Sequence, residues 1–198
     1  MLHDIFSEIY ASGKWGRDQN GKGTSGPGST LGATVEYRSF IEGMIKYHNV
    51  RSVLDAGCGD WGFSSAIDWQ GVSYLGIDAA NIVRDLQEKY VRPGVQFMGG
   101  DITDPLPAAD LLLCKDVLQH LPNDLVCRFI KNNLRSRKYR YALITNDKGT
   151  GNPDILPGEH RALDLSASPF CVEGLIELPI RFYAVGGDLK KTQLIVFR

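Results

Sequence analysis

Val53-Leu54-Asp55-Ala56-Gly57-Cys58-Gly59-Asp60-Trp61-Gly62 decides how the rest of the chain is read. A short apolar run ends in the carboxylate of Asp55 and opens into a turn with glycines at 57, 59 and 62. Glycine lets the backbone take positive φ and approach a ligand closely, because no Cβ stands in the way. A strand running into such a turn, followed by a helix N-terminus, holds nucleotide-like cofactors. The glycines also satisfy G-x-G-x-x-G, and Asp78 ends the next apolar run 16 residues later. That spacing suits a dinucleotide whose ribose diol sits on Asp78. Taken alone, the glycine pattern leaves the cofactor open.

The composition narrows the class of protein. A chain of 198 residues with 43% hydrophobic and 23% charged residues reads as one soluble globular domain with a substantial core. The formal net charge of −1 gives no global field for a polyanion, which argues against nucleic acid or an acidic membrane surface as partner. No apolar stretch approaches the roughly 20 residues that span a bilayer, and Met1-Leu2-His3-Asp4 shows no secretory pattern. Cys58, Cys114, Cys127 and Cys171 form no C-x-x-C pair; Cys58 and Cys114 read as small buried residues. A reduced, cytoplasmic location is the expectation, with the oligomeric state open.

Outward from the glycine turn, strand and helix patterns alternate. Strands are expected at 52–56, 73–77, 95–98, 111–114 and 141–145, and helices at 61–67, 80–89 and 123–134. Such alternation predicts right-handed βαβ units and a mostly parallel sheet with helices on both faces. Ile5–Tyr10 reads as a short helix and 34–48 as a longer one, with a Gly/Ser-rich segment between them. That segment, Ala11 to Leu31 and including Trp15, is either a functional lid or a disordered arm. The tail breaks the alternation. Two strand patterns at 175–183 and 192–197 flank Gly186-Gly187-Asp188, a turn signal that predicts an antiparallel hairpin. The expected organisation is a single domain: a lid and helix over 1–48, a cofactor core over 49–148, and an acceptor loop with hairpin over 149–198.

Three further features separate the cofactor classes. Asp55 precedes the first glycine by two residues, and a carboxylate there suits a cationic ligand end better than a pyrophosphate. The third strand runs into Gly99-Gly100-Asp101-Ile102, where Asp101 can accept from an adenine amino group and Ile102 can cover the ring. The fourth strand leaves the sheet through Lys115-Asp116-Val117-Leu118-Gln119-His120-Leu121-Pro122, at the edge where open α/β sheets bind ligands. Together these stations resemble the class I S-adenosylmethionine-dependent methyltransferases, over about residues 53–122. The resemblance implies a Rossmann-like sheet of seven strands ending in an antiparallel hairpin. It also implies that Asp55, Gly57, Cys58 and Gly59 hold the methionine part of S-adenosylmethionine, Asp78 the ribose, and Asp101 with Ile102 the adenine. Trp15 and Lys115 are expected beside them.

The acceptor side carries less signal. His120 is the candidate base and Asp116 a candidate for positioning or proton removal, each against a plain packing role. A second cluster, Asn152-Pro153-Asp154-Ile155 through Gly158-Glu159-His160-Arg161, follows the fifth strand. It resembles an N-x-D-I-x-x-G-x-x-R segment of a subgroup of small bacterial methyltransferases, as do Trp15-Gly16 and Ser25-Gly26-Pro27-Gly28-Ser29. Asn152, Asp154, His160 and Arg161 are therefore candidate acceptor contacts, with a solvated Asp–Arg loop as the rival. No spacing among Asp116, Asp147, Asp154 and His120 supports a metal site. Asn/Asp-Pro-Pro-aromatic is absent after the fourth strand, which disfavours a nucleobase amine. A small molecule methylated at oxygen is the expected acceptor. An N-methyltransferase, a cofactor-binding module without turnover and an NAD-dependent oxidoreductase are the alternatives.

Overall fold

The computed structural model describes residues 2–90, 92–183 and 189–197. Helices α1 (Leu2–Ser12) and α2 (Val35–Tyr47) precede the first strand. Then follow β1 (Ser52–Ala56), β2 (Ser73–Asp78), α3 (Ile82–Lys89), β3 (Val95–Gly99), β4 (Ala109–Lys115) and α4 (Asn123–Phe129). The last strands are β5 (Tyr139–Asp147), β6 (Ile176–Leu178) and β7 (Lys190–Val196). The seven strands form one sheet in the order β3-β2-β1-β4-β5-β7-β6. β1 to β5 are mutually parallel, and β7 runs antiparallel to both β5 and β6. The chain thus leaves β1 toward β2 on one side and returns beside it as β4. That reversal opens a crevice at the carboxyl ends of β1 and β4.

Both faces of the sheet are buried, so the central strands are apolar throughout rather than alternating. On β4, Leu112 and Cys114 face a cluster with Phe6 and Ile9 of α1 and Val126 and Phe129 of α4. Leu111 and Leu113 face the other cluster, with Tyr37 and Ile41 of α2 and Val83 and Leu86 of α3. Cys58 and Cys114 are free and buried. Asp110, at the start of β4, accepts from the backbone N–H groups of Arg51 and Ser52 at 2.8 and 3.1 Å.

Two expected elements differ. Residues 61–67 form no α-helix, only a 3-10 turn over Ser64–Ala66. Trp61 sits at φ 54°, which breaks helical geometry, and its ring packs instead against Tyr74, Tyr90 and Phe97. The strand expected over 175–183 is only three residues long. Pro179 follows it and has no N–H for the ladder, and the chain turns toward α2, where Tyr183 N–H donates to Ala33 O at 3.1 Å. The expected turn at Gly186-Gly187-Asp188 lies outside the described residues. α4 runs on into a π-helical turn over Ile130–Leu134.

Candidate functional site

A cleft of about 260 Å³ opens at the β1/β4 crevice. Trp15, Asp55, Gly57, Cys58, Gly59, Asp78, Asp101, Ile102, Lys115, Asp116, His120 and His160 all line it, whereas Asn152, Asp154 and Arg161 do not.

One half of the cleft is built on the ends of β1, β2 and β3. Gly57 takes φ 86°, and a Cβ there would lie 2.3 Å from Val117 Cγ2. At Gly59 (φ 57°) a Cβ would lie 2.3 Å from Ser25 Oγ. Asp78 fixes this turn: it accepts from Gly59 N–H and Ala80 N–H, both at 2.9 Å. Asp55 is buried and accepts from the Tyr74 hydroxyl at 2.6 Å. Burial pushes its carboxyl up to about 6, against the pull of that hydroxyl. Asp101 Oδ1 accepts from Thr103 N–H and Oγ1–H, both at 2.8 Å, which turns the chain after β3. The Gly/Ser-rich segment is folded onto this half. Ser25 N–H donates to Asp60, Asp60 N–H donates to Ser25 Oγ at 3.0 Å, and Tyr10 OH lies 2.9 Å from the same Oγ. Trp15 meets Tyr10 edge-on at a centroid distance of 5.4 Å.

The other half is a line of charged side chains from β4, β5 and β7. Lys115 Nζ donates to Asp116 Oδ2 at 2.6 Å and to Gly28 O at 2.9 Å. Lys190 Nζ lies 2.8 Å from Asp116 Oδ1 and 2.5 Å from Asp147 Oδ1, and His160 Nε2 lies 2.7 Å from Asp147 Oδ2. Register places Asp147 directly opposite Lys190 across β5 and β7. Burial works to raise the Asp116 carboxyl, but Lys115 and Lys190 overcome it and hold it below the ordinary carboxylate value. Burial lowers His120 below the usual imidazole value, opposed by the Glu159 carbonyl. His120 Nδ1 lies 2.8 Å from that carbonyl oxygen. A carbonyl only accepts, so Nδ1 carries the proton and Nε2 keeps its lone pair in neutral His120. The ring lies 4.9 Å from Trp15 and 5.5 Å from His160, centroid to centroid.

The loop after β5 holds these groups in place. Asn152 is buried, donates to Asp164 O and Ser168 O at 2.8 and 3.0 Å, and accepts from Asp164 N–H at 2.8 Å. Asp154 accepts from Asn123 N–H at 2.7 Å, at the start of α4. Arg161 donates to Pro153 O and Leu121 O at 2.7 and 2.9 Å. Gly158 takes φ 82°, and a Cβ there would come within 3 Å of Ile5 and Ile9 of α1. Gly158 N–H donates to His120 O at 2.9 Å. The N-x-D-I-x-x-G-x-x-R residues thus tie the loop to itself, to α1 and α4, and to the backbone of His120, and of the loop's candidates only His160 reaches the cleft.

Residues 54–137 match a methyltransferase domain. Over 120 residues the chain is 27% identical to the probable inactive O-methyltransferase 11 of Dictyostelium discoideum, covering 59% of this chain and 36% of that one. It is 24% identical over 105 residues to the myricetin 3'/5'-O-methyltransferase 1 of Solanum habrochaites, covering 52% and 28%. The chain therefore spans about a third of the length of the curated relatives it matches. The magnesium protoporphyrin IX methyltransferase of Synechocystis PCC 6803, solved with S-adenosylhomocysteine (SAH), has the same fold. Its TM-score is 0.63 at 18% identity, over 100% of this chain and 98% of that chain. The fold is the Rossmann-like methyltransferase fold. The family match, with neighbours solved with S-adenosylmethionine or SAH, supports S-adenosylmethionine as the cofactor.

The residues of the cleft fit that cofactor better than a dinucleotide. A pyrophosphate needs N–H groups at a helix N-terminus, yet no α-helix directly follows the glycine turn, and Gly62 N–H is already taken by Asp60 at 3.0 Å. Asp55, Asp60 and Asp78 line this half of the cleft and would repel a second anion, whereas a sulfonium and an ammonium gain from them. Two sets of lining residues carried no motif. Leu2 and Phe6 of α1 wall the cleft beside Ala79 and Ile102, and the amphipathic spacing of α1 was the only sign. Asp147 and Lys190 also line it, and they meet only through the β5–β7 register. Among the described residues no group of three or more His, Cys, Asp or Glu could hold a metal ion, and no helix is long and apolar enough to cross a membrane.

Proposed function

We propose that the protein is an S-adenosylmethionine-dependent methyltransferase that methylates an oxygen of a small polar molecule. The observation that carries this reading is His120: Nδ1 is bound to the Glu159 carbonyl, and Nε2 has no hydrogen-bond partner among the described residues. When bound, S-adenosylmethionine supplies a methyl group on a sulfonium, which needs alignment with the acceptor more than activation. In this reading Asp55, with the Gly57-Cys58-Gly59 turn, faces the methionine part, Asp78 the ribose, and Asp101 with Ile102 the adenine. Trp15 and Tyr10 exclude water over the transfer point.

An acceptor hydroxyl would meet His120 Nε2, which would take its proton as the methyl group's bond to sulfur gives way to a bond to the acceptor oxygen, leaving a thioether. A neutral imidazole is the form that can do so, and burial favours it. Asp116 is a weak base because two lysines hold it ionised, so its part is to position Lys115 and Lys190. The two matched relatives named as O-methyltransferases support oxygen over nitrogen as the target. The proposal takes the chain as one functional domain in the cytoplasm, in keeping with its four free cysteines.

The test is incubation with S-adenosylmethionine labelled in the methyl group and panels of hydroxylated and aminated small molecules. Label in a small-molecule ether or ester is expected. Label only in protein or in amines would overturn the oxygen target. A binding module without turnover is the second reading, favoured by the name of the Dictyostelium relative. Tight SAH binding with no label transfer to any acceptor would establish it.

A further inference from the structure

We propose that the acceptor carries a carboxylate, and that Lys190 and His160 receive it at the far end of the cleft. This rests on the methyltransferase reading above and adds to it the chemical class of the acceptor. The argument is one of hydrogen-bonding capacity. Each carboxylate oxygen at this end already faces a protein donor. Asp116 Oδ2 has Lys115 at 2.6 Å and Oδ1 has Lys190 at 2.8 Å. Asp147 Oδ1 has Lys190 at 2.5 Å and Oδ2 has His160 at 2.7 Å.

An ammonium carries three N–H donors, and the side chain of Lys190, 12% exposed and lining the cleft, uses two of them on these carboxylates. Lys115 spends its donors on Asp116 and Gly28 O, with Ser29 Oγ at 3.4 Å. What remains for a ligand is the third N–H of Lys190 and the second ring nitrogen of His160, 52% exposed, which donates to an oxyanion only in the imidazolium form that Asp147 on one side and a carboxylate on the other would favour. An incoming cation would meet Lys190 and find no unpaired carboxylate. An oxyanion would find a free charged donor, and charge-assisted bonds of this kind are the strong ones.

The reach of the site constrains the acceptor further. His120, which faces the oxygen to be methylated, stands 5.5 Å from His160, centroid to centroid. The hydroxyl and the carboxylate must therefore sit close together on one small frame, as in a hydroxy acid. Trp15 lies 4.9 Å from His120 and Leu121 also lines the cleft, which gives that frame an apolar wall. The two lysines and two aspartates cancel in charge, so the imidazolium form of His160 leaves this end with one positive charge, which matches one negative charge better than a phosphate dianion.

Calorimetry on the full chain saturated with SAH tests the proposal with 2-hydroxybenzoate and its uncharged amide as probes. The acid is expected to bind at least about tenfold more tightly than the amide, the gain one charged hydrogen bond implies. His160→Gln is expected to remove most of that preference, and its half-exposed position makes misfolding a minor concern. Lys190→Met would strand two carboxylates, so Lys190→Arg, which keeps the charge and alters the donor geometry, is the second variant, again with a smaller preference. Equal binding of the two probes, binding of neither, or an unchanged preference in both variants overturns the proposal. If SAH itself does not bind, the methyltransferase reading fails and this inference falls with it. If SAH binds while the probes are not distinguished, only the acceptor class is wrong.

Discussion

The two halves of the cleft use the same residue types for opposite purposes. In the cofactor half, Asp55, Asp78 and Asp101 accept from uncharged donors: a tyrosine hydroxyl, backbone N–H groups and a threonine. Among the described residues no cationic side chain is bonded to them. In the acceptor half, Asp116 and Asp147 are bound by Lys115, Lys190 and His160, and their charge is spent inside the protein. A carboxylate at a strand end is therefore no guide to ligand polarity until its partners are known. The difference follows from topology. Parallel strand ends bring acids to the edge one by one, while the antiparallel β7 returns along β5 and sets its Lys190 between Asp147 and Asp116.

The sharpest way to break this comparison is at His120. His120→Ala should lower kcat by about 10²- to 10⁴-fold, the usual range for losing a general base, and leave SAH affinity nearly unchanged in calorimetry. The wild-type kcat/KM should fall as pH drops through the His120 value, which burial places below 6.5. The sign is fixed: protonation removes the lone pair, so the loss lies on the acid side. A variant that keeps turnover within about tenfold would mean that the proton leaves by another route.

That Asp55, Gly57, Gly59, Asp78 and Asp101 would line one cleft was legible because each sits at or just past a strand end. Asp55, Gly57 and Gly59 are set by one turn, Asp78 ends β2, and Asp101 follows the end of β3 by two residues. Strand ends are where an apolar run stops, and a single sequence shows that directly. The helix expected after the turn was not there, because Trp61 takes positive φ and buries its ring in the far core. The acceptor half was half legible. His120 and Asp116 follow β4 in sequence, but Lys190 reaches the cleft only through strand register, which no local pattern encodes. Asn152, Asp154 and Arg161 read as acceptor contacts by residue type and position. In the structure each bonds to backbone groups and none lines the cleft, a partner choice that residue type does not encode.

Asp55 offers a smaller but directional test of the cofactor half. Its carboxyl lies near 6 through burial. If it faces the cationic part of the cofactor, the ionised form binds better, and affinity for SAH should drop by up to about tenfold per pH unit below 6. Stability runs the other way. A carboxyl raised above its unfolded value binds protons more tightly when folded, so Asp55 by itself stabilises the free protein as pH falls from 6 toward 4. Loss of binding in that window is thus not loss of fold. Asp55→Asn should flatten the profile, and a wild-type profile already flat from pH 5 to 8 would remove Asp55 from the cofactor's contacts.

Asn152 should give the smallest effect on activity, and it marks where the acceptor half stops. Its amide closes three hydrogen bonds inside the loop, and its φ of 41° is one that Asn tolerates better than Ala. Asn152→Ala leaves Asp164 N–H without its acceptor and adds backbone strain, so a loss of about 1–3 kcal/mol in stability is expected from denaturant melts. If the residue only holds the loop, kcat/KM for the acceptor should stay within a few-fold at a temperature where the variant is folded. If Asn152 touches the acceptor, the acceptor KM should rise more than tenfold while stability changes little. The two measurements move in opposite proportion under the two roles. Together they decide whether His160 alone, or the whole loop, belongs to the site.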